Sequence, residues 1–317
     1  MPLNGSCISF PDNPSHCDAV VVARKVSGSL SLIGAIFMVF VIWLFKRYVA
    51  FSQRLTLYLS ISSLLHSIGF LMGSRIDDGP FCDFQGWYIT YFHWQVMLLV
   101  GCITFNLFMN VVRLTTTAKF EWVYVVICAA VPLVVSLLPF IDNVYGPSGS
   151  WCWIVEDTKW RIGIWYGPLF TFIIILIAVY GFIIFTLLRK ASTWEGTYDP
   201  NTHRQHQLMK EDIKPLRFYP FVYLAVSVFS LINRIQNAIS PDYHVFALVL
   251  LATMTSPLQG ALNAIAFGID KEILFKLRPS EILVAFKSKL APGSTVQEYP
   301  QPDRDTDQLE IYVTTEA

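Results

Sequence analysis

The chain has 317 residues, 54% of them hydrophobic and only 15% charged, with a mean hydropathy of +0.49. Soluble domains carry roughly 25% charged residues, so this composition suits a bilayer rather than water. The 23 Lys plus Arg balance 23 Asp plus Glu, which removes any general attraction to nucleic acid; an aromatic share of 15% excludes disorder over the whole chain.

Residues 1–25 read as an extracellular amino-terminal tail. Asn4-Gly5-Ser6 is a glycosylation sequon there, whereas Pro14 disqualifies Asn13-Pro14-Ser15. No cleavable signal peptide is visible, because residues 1–12 lack a basic start and a long apolar core. Seven charge-free apolar runs then follow at 26–45, 55–74, 84–112, 122–141, 162–188, 218–233 and 243–269. A helix needs about 20 residues, at about 1.5 Å each, to cross a ~30 Å hydrocarbon core. Six runs meet that length, and the sixth in order is short only because Arg234 interrupts it. The runs are continuous rather than alternating, which excludes a barrel. The expected fold is an all-α integral membrane bundle of seven transmembrane helices over residues 26–269. Gly146-Pro-Ser-Gly-Ser150 reads as loop.

Orientation follows from the basic residues between the runs. One side carries 16 Lys or Arg, at 46–54, 113–121, 189–217 and 270–290; the other carries 6, at 1–25, 75–83, 142–161 and 234–242. The amino end is expected outside and the carboxyl end in the cytoplasm. Arg24 and Lys25 go against this bias, because they flank the first run on its outer side. Residues 270–290 pattern as an amphipathic juxtamembrane helix, with Ile273, Leu274, Leu277, Ile282, Leu283 and Phe286 on one side and Lys276, Lys287 and Lys289 interleaved. Residues 291–317 are polar, contain proline and read as a disordered cytoplasmic tail.

Six cysteines test the topology. Cys82 and Cys152 both fall on the oxidising side, where a bridge persists and would pin the second outer loop across the mouth of helix 3. Cys7 and Cys17 are also outside and would close a small loop. Cys102 and Cys128 fall within helices 3 and 4 and read as buried thiols. The alternative is that all six are unpaired.

No run contains Asp, Glu or Lys. Ion-coupled transporters and pumps keep such groups in the membrane, and a retinal Schiff base needs a mid-helix lysine. Neither HExxH nor a glycine-rich phosphate loop occurs, so no enzyme, cofactor or metal centre is expected. Polar residues do lie inside. Asn106 and Asn110 on helix 3, and Gln259 and Asn263 on helix 7, are spaced four apart on one face. They form a candidate activation layer, with interhelical glue as the plainer reading. Pro132, Pro168, Pro220 and Pro257 fall within helices 4 to 7, where each removes a backbone hydrogen bond. At the outer end, Arg234 and Asn233 of helix 6, His93 of helix 3, Lys159 and Arg161 before helix 5, and Tyr166 gather polar and cationic groups. They are the candidate contacts of an anionic ligand; for Arg234 the alternative is snorkelling to headgroups.

Ser150-Trp-Cys-Trp-Ile154, followed by Arg161-Ile-Gly-Ile-Trp-Tyr-Gly-Pro168, resembles the second outer loop and helix 5 start of the cyclic-AMP-receptor-like seven-helix receptors. Ile232-Asn-Arg-Ile235 looks like that family's helix 6, and Gly260-Ala-Leu-Asn-Ala-Ile-Ala-Phe-Gly268 is similar to its helix 7 in the plant member. Tyr58-Leu-Ser-Ile-Ser62 looks like the helix 2 pattern, without the acid sometimes found beside it. The resemblance spans residues 28–270. It implies a G-protein-coupled receptor of the plasma membrane, with a Cys82–Cys152 bridge, a small extracellular ligand such as cyclic AMP and a heterotrimeric G-protein partner. It also implies that Arg161 and Arg234 face a cyclic phosphate. The competing readings are a seven-helix transporter and a non-signalling scaffold. Asp-Arg-Tyr and Asn-Pro-x-x-Tyr are missing, so Asn110, Arg113 and Asn263 are the groups left to take their roles.

Overall fold

The computed structural model describes residues 10, 13–73, 78–113, 115, 117–148, 151–155, 158–193, 216, 218–239, 245–269 and 271–290. Among the described residues, the long helices in chain order are α1 (Pro14–Leu44), α2 (Phe51–Leu71), α3 (Pro80–Val112), α4 (Glu121–Leu137), α5 (Gly167–Thr193), α6 (Tyr219–Ile239) and α7 (Phe246–Thr255). A 3-10 turn, Ser256–Leu258, joins α7 to α8 (Gln259–Gly268); α9 (Lys271–Lys276) and α10 (Pro279–Leu290) follow. Among the described residues, five helical stretches are long and apolar enough to cross a membrane: Ser15–Leu44, Pro80–Val112, Ala118–Phe140, Lys159–Thr186 and Phe246–Gly268. Tyr219–Asn233 is a shorter apolar helix. The 21-residue α2 stands outside this group because its buried side is polar: Ser52, Gln53, Thr56, Ser60, Ser62, Ser63, His66 and Ser67.

Burial runs opposite to that of a soluble protein. The interior is mostly apolar but also buries many serines, threonines and amides, while Ile33, Val134, Ile174 and Phe185 are all more than 60% exposed. Outward apolar faces and inward polar groups suit hydrocarbon as the surrounding solvent.

α3 is the central helix. It packs against α2, α4, α5 and α6 and against both strands of a small hairpin. α1 packs against α2 and α8. A side chain at Gly34 would lie 2.9 Å from the Ala261 Cα, and one at Gly260 would lie 2.5 Å from the Ser31 Oγ. Two glycines thus let the backbones of α1 and α8 approach as small residues do in membrane bundles. Ser31 uses that approach: its Oγ accepts the Gly260 N–H at 2.8 Å, next to the turn where Pro257 interrupts the helix.

Local chemistry refines the sequence reading. α1 begins at Pro14 with its proline in the first turn, so the helix covers much of the stretch read as tail. Pro132 does lie inside α4. Pro220 is the second residue of α6, where the missing N–H would have had no helical partner; Pro168 follows the π turn Ile162–Tyr166 without a break and lies inside the helical stretch Lys159–Thr186. Pro132, Pro168 and Pro257 thus lie inside helical stretches, Pro168 just after a π turn and Pro257 in a 3-10 turn. The stretch read as loop, 146–150, instead carries most of a strand, β1 (Tyr145–Ser148), which pairs antiparallel with β2 (Trp151–Ile154). Pairing satisfies backbone groups that a bare loop packed on α3 would bury unpaired.

Lys276–Ala317 is a separate compact unit. Within it, α10 starts on Pro279 and leaves Leu283, Val284 and Phe286 more than 40% exposed. The amphipathic stretch is therefore helical, but Leu277 and Arg278 divide it.

Candidate functional site

The β1–β2 hairpin caps one end of the bundle. Its register pairs Tyr145 with Ile154, Gly146 with Trp153, Pro147 with Cys152 and Ser148 with Trp151. Cys152 is bridged to Cys82 near the start of α3, with Cα atoms 5.2 Å apart. Noncovalent ties reinforce the bridge. The Trp153 indole donates to Thr90 Oγ1 at 3.1 Å, and the Tyr145 hydroxyl donates to the Ser136 carbonyl at 2.8 Å. A side chain at Gly86 would approach Tyr145 Cδ1 to 2.7 Å and Trp153 Cα to 3.3 Å, so glycine on α3 sets how closely the hairpin seats. Tyr145, Cys152, Trp153 and Ile154 are all buried.

From the hairpin a column of rings descends into the bundle. Trp151 meets Phe70 edge-on at 5.5 Å, Phe70 meets His66 at 4.9 Å, His66 meets His93 at 4.7 Å, and His93 meets Trp165 at 4.0 Å. Ser62 donates to Gln95 Oε1 at 2.9 Å beside it, joining α2 to α3. His66 Nε2 and Ser63 Oγ are buried without a hydrogen-bond partner. Trp165 comes from a π turn, Ile162–Tyr166. Such turns interrupt the helical ladder and gather at functional sites. Here the Trp94 indole donates to the Ile164 carbonyl at 3.1 Å. The column offers ring faces for stacking, imidazoles that donate and accept, and no carboxylate within its named members.

The six residues expected to meet a ligand are dispersed over this end. His93 is in the column. Tyr166 is in the π turn, 6.0 Å edge-on to Trp153 and 6.3 Å from Phe170. Lys159 is exposed, in a single helical turn, Thr158–Arg161. Arg161 is occupied by the hairpin: Nε and Nη2 donate to the Ile154 carbonyl at 3.0 and 2.9 Å, and Nη2 also donates to Ser148 Oγ at 2.8 Å. Its guanidinium also lies 5.8 Å from the Trp153 ring. Asn233 is buried with its Oδ1 unpartnered. Arg234 is in α6, and its side chain lies outside the described residues, as do Asn4 and Cys7. Cys17 is disulfide-bonded. Cys102 and Cys128 are free thiols in contact, 3.7 Å apart between α3 and α4.

The four amides of the candidate layer differ. Asn106 Oδ1 accepts from Thr117 Oγ1 at 2.8 Å and from the Thr117 N–H at 3.3 Å, so it holds the loop leaving α3. Asn110 Oδ1, Gln259 Nε2 and both side-chain polar atoms of Asn263 are buried without partners. Asn263 is wholly buried, at 0% exposure.

Two further features were not singled out from the sequence as site chemistry. Arg54, near the start of α2, grips Glu121, at the start of α4, through Nε at 2.7 Å and Nη2 at 2.7 Å; the Tyr58 hydroxyl donates to the same carboxylate at 2.8 Å. The remaining donor of Arg54, Nη1, reaches the Val49 carbonyl at 2.7 Å. The available signal was two opposite charges bounding apolar runs at the same end of the bundle. The second feature is Arg24, only 1% exposed. Its signal was the helical spacing of Val20, Arg24, Ser27 and Ser31, one inward stripe on α1.

Comparison with known proteins places this geometry in a family. The family described as slime mold cyclic AMP receptor matches residues 14–301. Cyclic AMP receptor-like protein A of Dictyostelium discoideum is 29% identical over 248 residues, 77% of this chain and 63% of the relative. G-protein coupled receptor 1 of Arabidopsis thaliana is 28% identical over 255 residues, 78% of this chain and 77% of the relative. Cyclic AMP receptor 1 of Dictyostelium discoideum is 26% identical over 220 residues, 68% of this chain and 53% of the relative. The chain thus spans less than two thirds of the length of two of these three. It belongs to the slime mold cyclic AMP receptor family.

Proposed function

We propose that this member of the cyclic AMP receptor family is a G-protein-coupled receptor of the plasma membrane. It crosses seven times, through α1 to α6 and then α7 with α8, and the hairpin end faces outward. A small anionic ligand enters beneath the hairpin, and the opposite end engages a heterotrimeric G-protein. The observation that carries this reading is the pair of buried, unpartnered groups, His66 Nε2 and Ser63 Oγ, in a ring column beneath a covalently tethered hairpin. Buried polar atoms without partners cost about 1–3 kcal/mol each, and a ligand that supplies the missing bonds recovers that cost. The names of the relatives direct attention to cyclic AMP. A flat base stacks against the rings of this column, with its phosphate met by Arg234, Lys159 and Asn233. Arg161 then serves the ligand indirectly, by fixing the hairpin.

A cyclic nucleotide panel scored by nucleotide exchange on co-expressed Gα subunits tests the reading. We expect one member to stimulate exchange, and Arg234→Ala to weaken its affinity about 10- to 100-fold, the worth of a charged hydrogen bond. Arg234→Lys keeps the charge without the fork and weakens it less. Failure of every anion on every Gα rejects the reading. Orientation is tested separately: an amino-terminal tag should stain intact cells, and a tag after Lys289 only permeabilised ones. The reverse pattern rejects the assignment of the hairpin to the outside.

A further inference from the structure

We propose that Arg24 is the cation of a phosphate-oxyanion site at the hairpin end, in the corner between α1 and the end of α2. Arg24 lies on the inward stripe of α1, with Val20, Ser27 and Ser31 above and below it at 4%, 3% and 1% exposure. It therefore does not snorkel outward to water. Gly28, one turn further on, lets α1 close on α2: a side chain there would lie 3.3 Å from Leu71. From Arg24 to the helix end at Leu44 is 20 residues, or about 30 Å. That length matches the hydrocarbon core and sets Arg24 at the depth where headgroup phosphates begin.

The guanidinium is poorly served where it lies. Nη2 donates to the Gly73 carbonyl at 3.2 Å, and Nε is buried with no partner. A guanidinium carries five N–H donors. Among the described residues, no carboxylate lies within ion-pair distance of it. A helix carboxyl end supplies only a fraction of a negative charge. Capping α2 does not account for the residue either, because the Gln85 carboxamide already donates to the Gly69 and Met72 carbonyls at 3.0 and 2.8 Å, both shorter than the Arg24 bond. A buried cation without a counter-charge is strongly unfavourable, and a phosphate matches the guanidinium fork. The oxyanion comes from solution or from a lipid headgroup.

The test uses the full chain in maltoside, a neutral detergent without phosphate, and reads the thermal unfolding midpoint. One arm titrates inorganic phosphate against chloride at equal ionic strength; the other adds phosphatidylglycerol in phosphate-free buffer. A ligand of the folded state raises the midpoint by mass action. We expect one arm to do so for the wild type, which identifies the source, and Arg24→Gln to need at least about tenfold more anion for the same shift. If neither anion exceeds chloride, or if Arg24→Gln responds like the wild type, the proposal is overturned. Should Arg24→Gln not fold, Arg24→Lys decides. A loss of about tenfold in apparent affinity supports the site, and an unchanged response overturns it. No G-protein or nucleotide enters the measurement, so it stands or falls apart from the receptor reading.

Discussion

The two ends of the bundle are held in different ways. At the hairpin end, a disulfide, the Trp153–Thr90 and Tyr145–Ser136 bonds and the Arg161 fork all converge on one small hairpin. Toward the other end, α2 and α4 are joined by Arg54–Glu121, a pair with side chains 30% and 23% exposed, while Asn110, Gln259 and Asn263 keep buried polar atoms unpartnered. A hairpin tied covalently and by short bonds has one arrangement. A layer of amides with unused donors and acceptors has several of similar energy, and that is the material of a two-state element. The 3-10 turn Ser256–Leu258 directly before Gln259 places an irregular turn beside those amides. On the proposed reading, the tethered end holds the ligand and the amide layer switches state.

The largest effect should come from the bridge. Cys82→Ser and Cys152→Ser should each cost about 2–5 kcal/mol and lower surface expression equally, with the double variant no worse. Additive losses would mean the hairpin is not held as one unit. Thr90→Val removes the acceptor of the Trp153 indole and strands a buried donor, so it should cost about 1–3 kcal/mol in thermal denaturation. A neutral result would loosen the picture of a rigid cap. At the other end the sign should invert. Asn263→Leu deletes two unpartnered polar atoms and should raise stability by about 1 kcal/mol while lowering ligand-stimulated exchange. Destabilisation would show that Asn263 is structural glue. The smallest effect belongs to Arg54–Glu121. A double-mutant cycle with Arg54→Ala and Glu121→Ala should give a coupling of about 0.2–1 kcal/mol, because the pair is partly open to solvent. A coupling of several kcal/mol would make that end as firm as the hairpin.

The residues whose surroundings the sequence leaves open are the cations. Arg161 precedes an apolar run and carries a fork suited to phosphate, so it reads as a ligand contact; in the structure that fork is spent on Ile154 and Ser148. Arg24 reads as a flanking charge, since only acids and bases delimit an apolar run. Its neighbours at helical spacing, Val20, Ser27 and Ser31, carry the opposite message. Both cases turn on whether an end-of-helix cation looks inward or outward, which depends on the elements packed against it. Asn106 and Asn263 have the same residue type and similar depth. Only the chain passing Thr117 beside Asn106 separates a satisfied amide from an orphaned one.

The amino-acid sequence by itself determined the membrane class, the apolar helices and the cysteines available on one side of the bundle. Those follow from composition, run length and period, which are local and need no partner. The hairpin, the π turn carrying Trp165, the α1–α8 approach through Gly34 and Gly260, and the burial of Arg24 were decided by tertiary structure alone. Each depends on which backbone groups are left unpaired when helices distant in sequence come together, and hydrogen-bond accounting of that kind has no counterpart in a linear pattern.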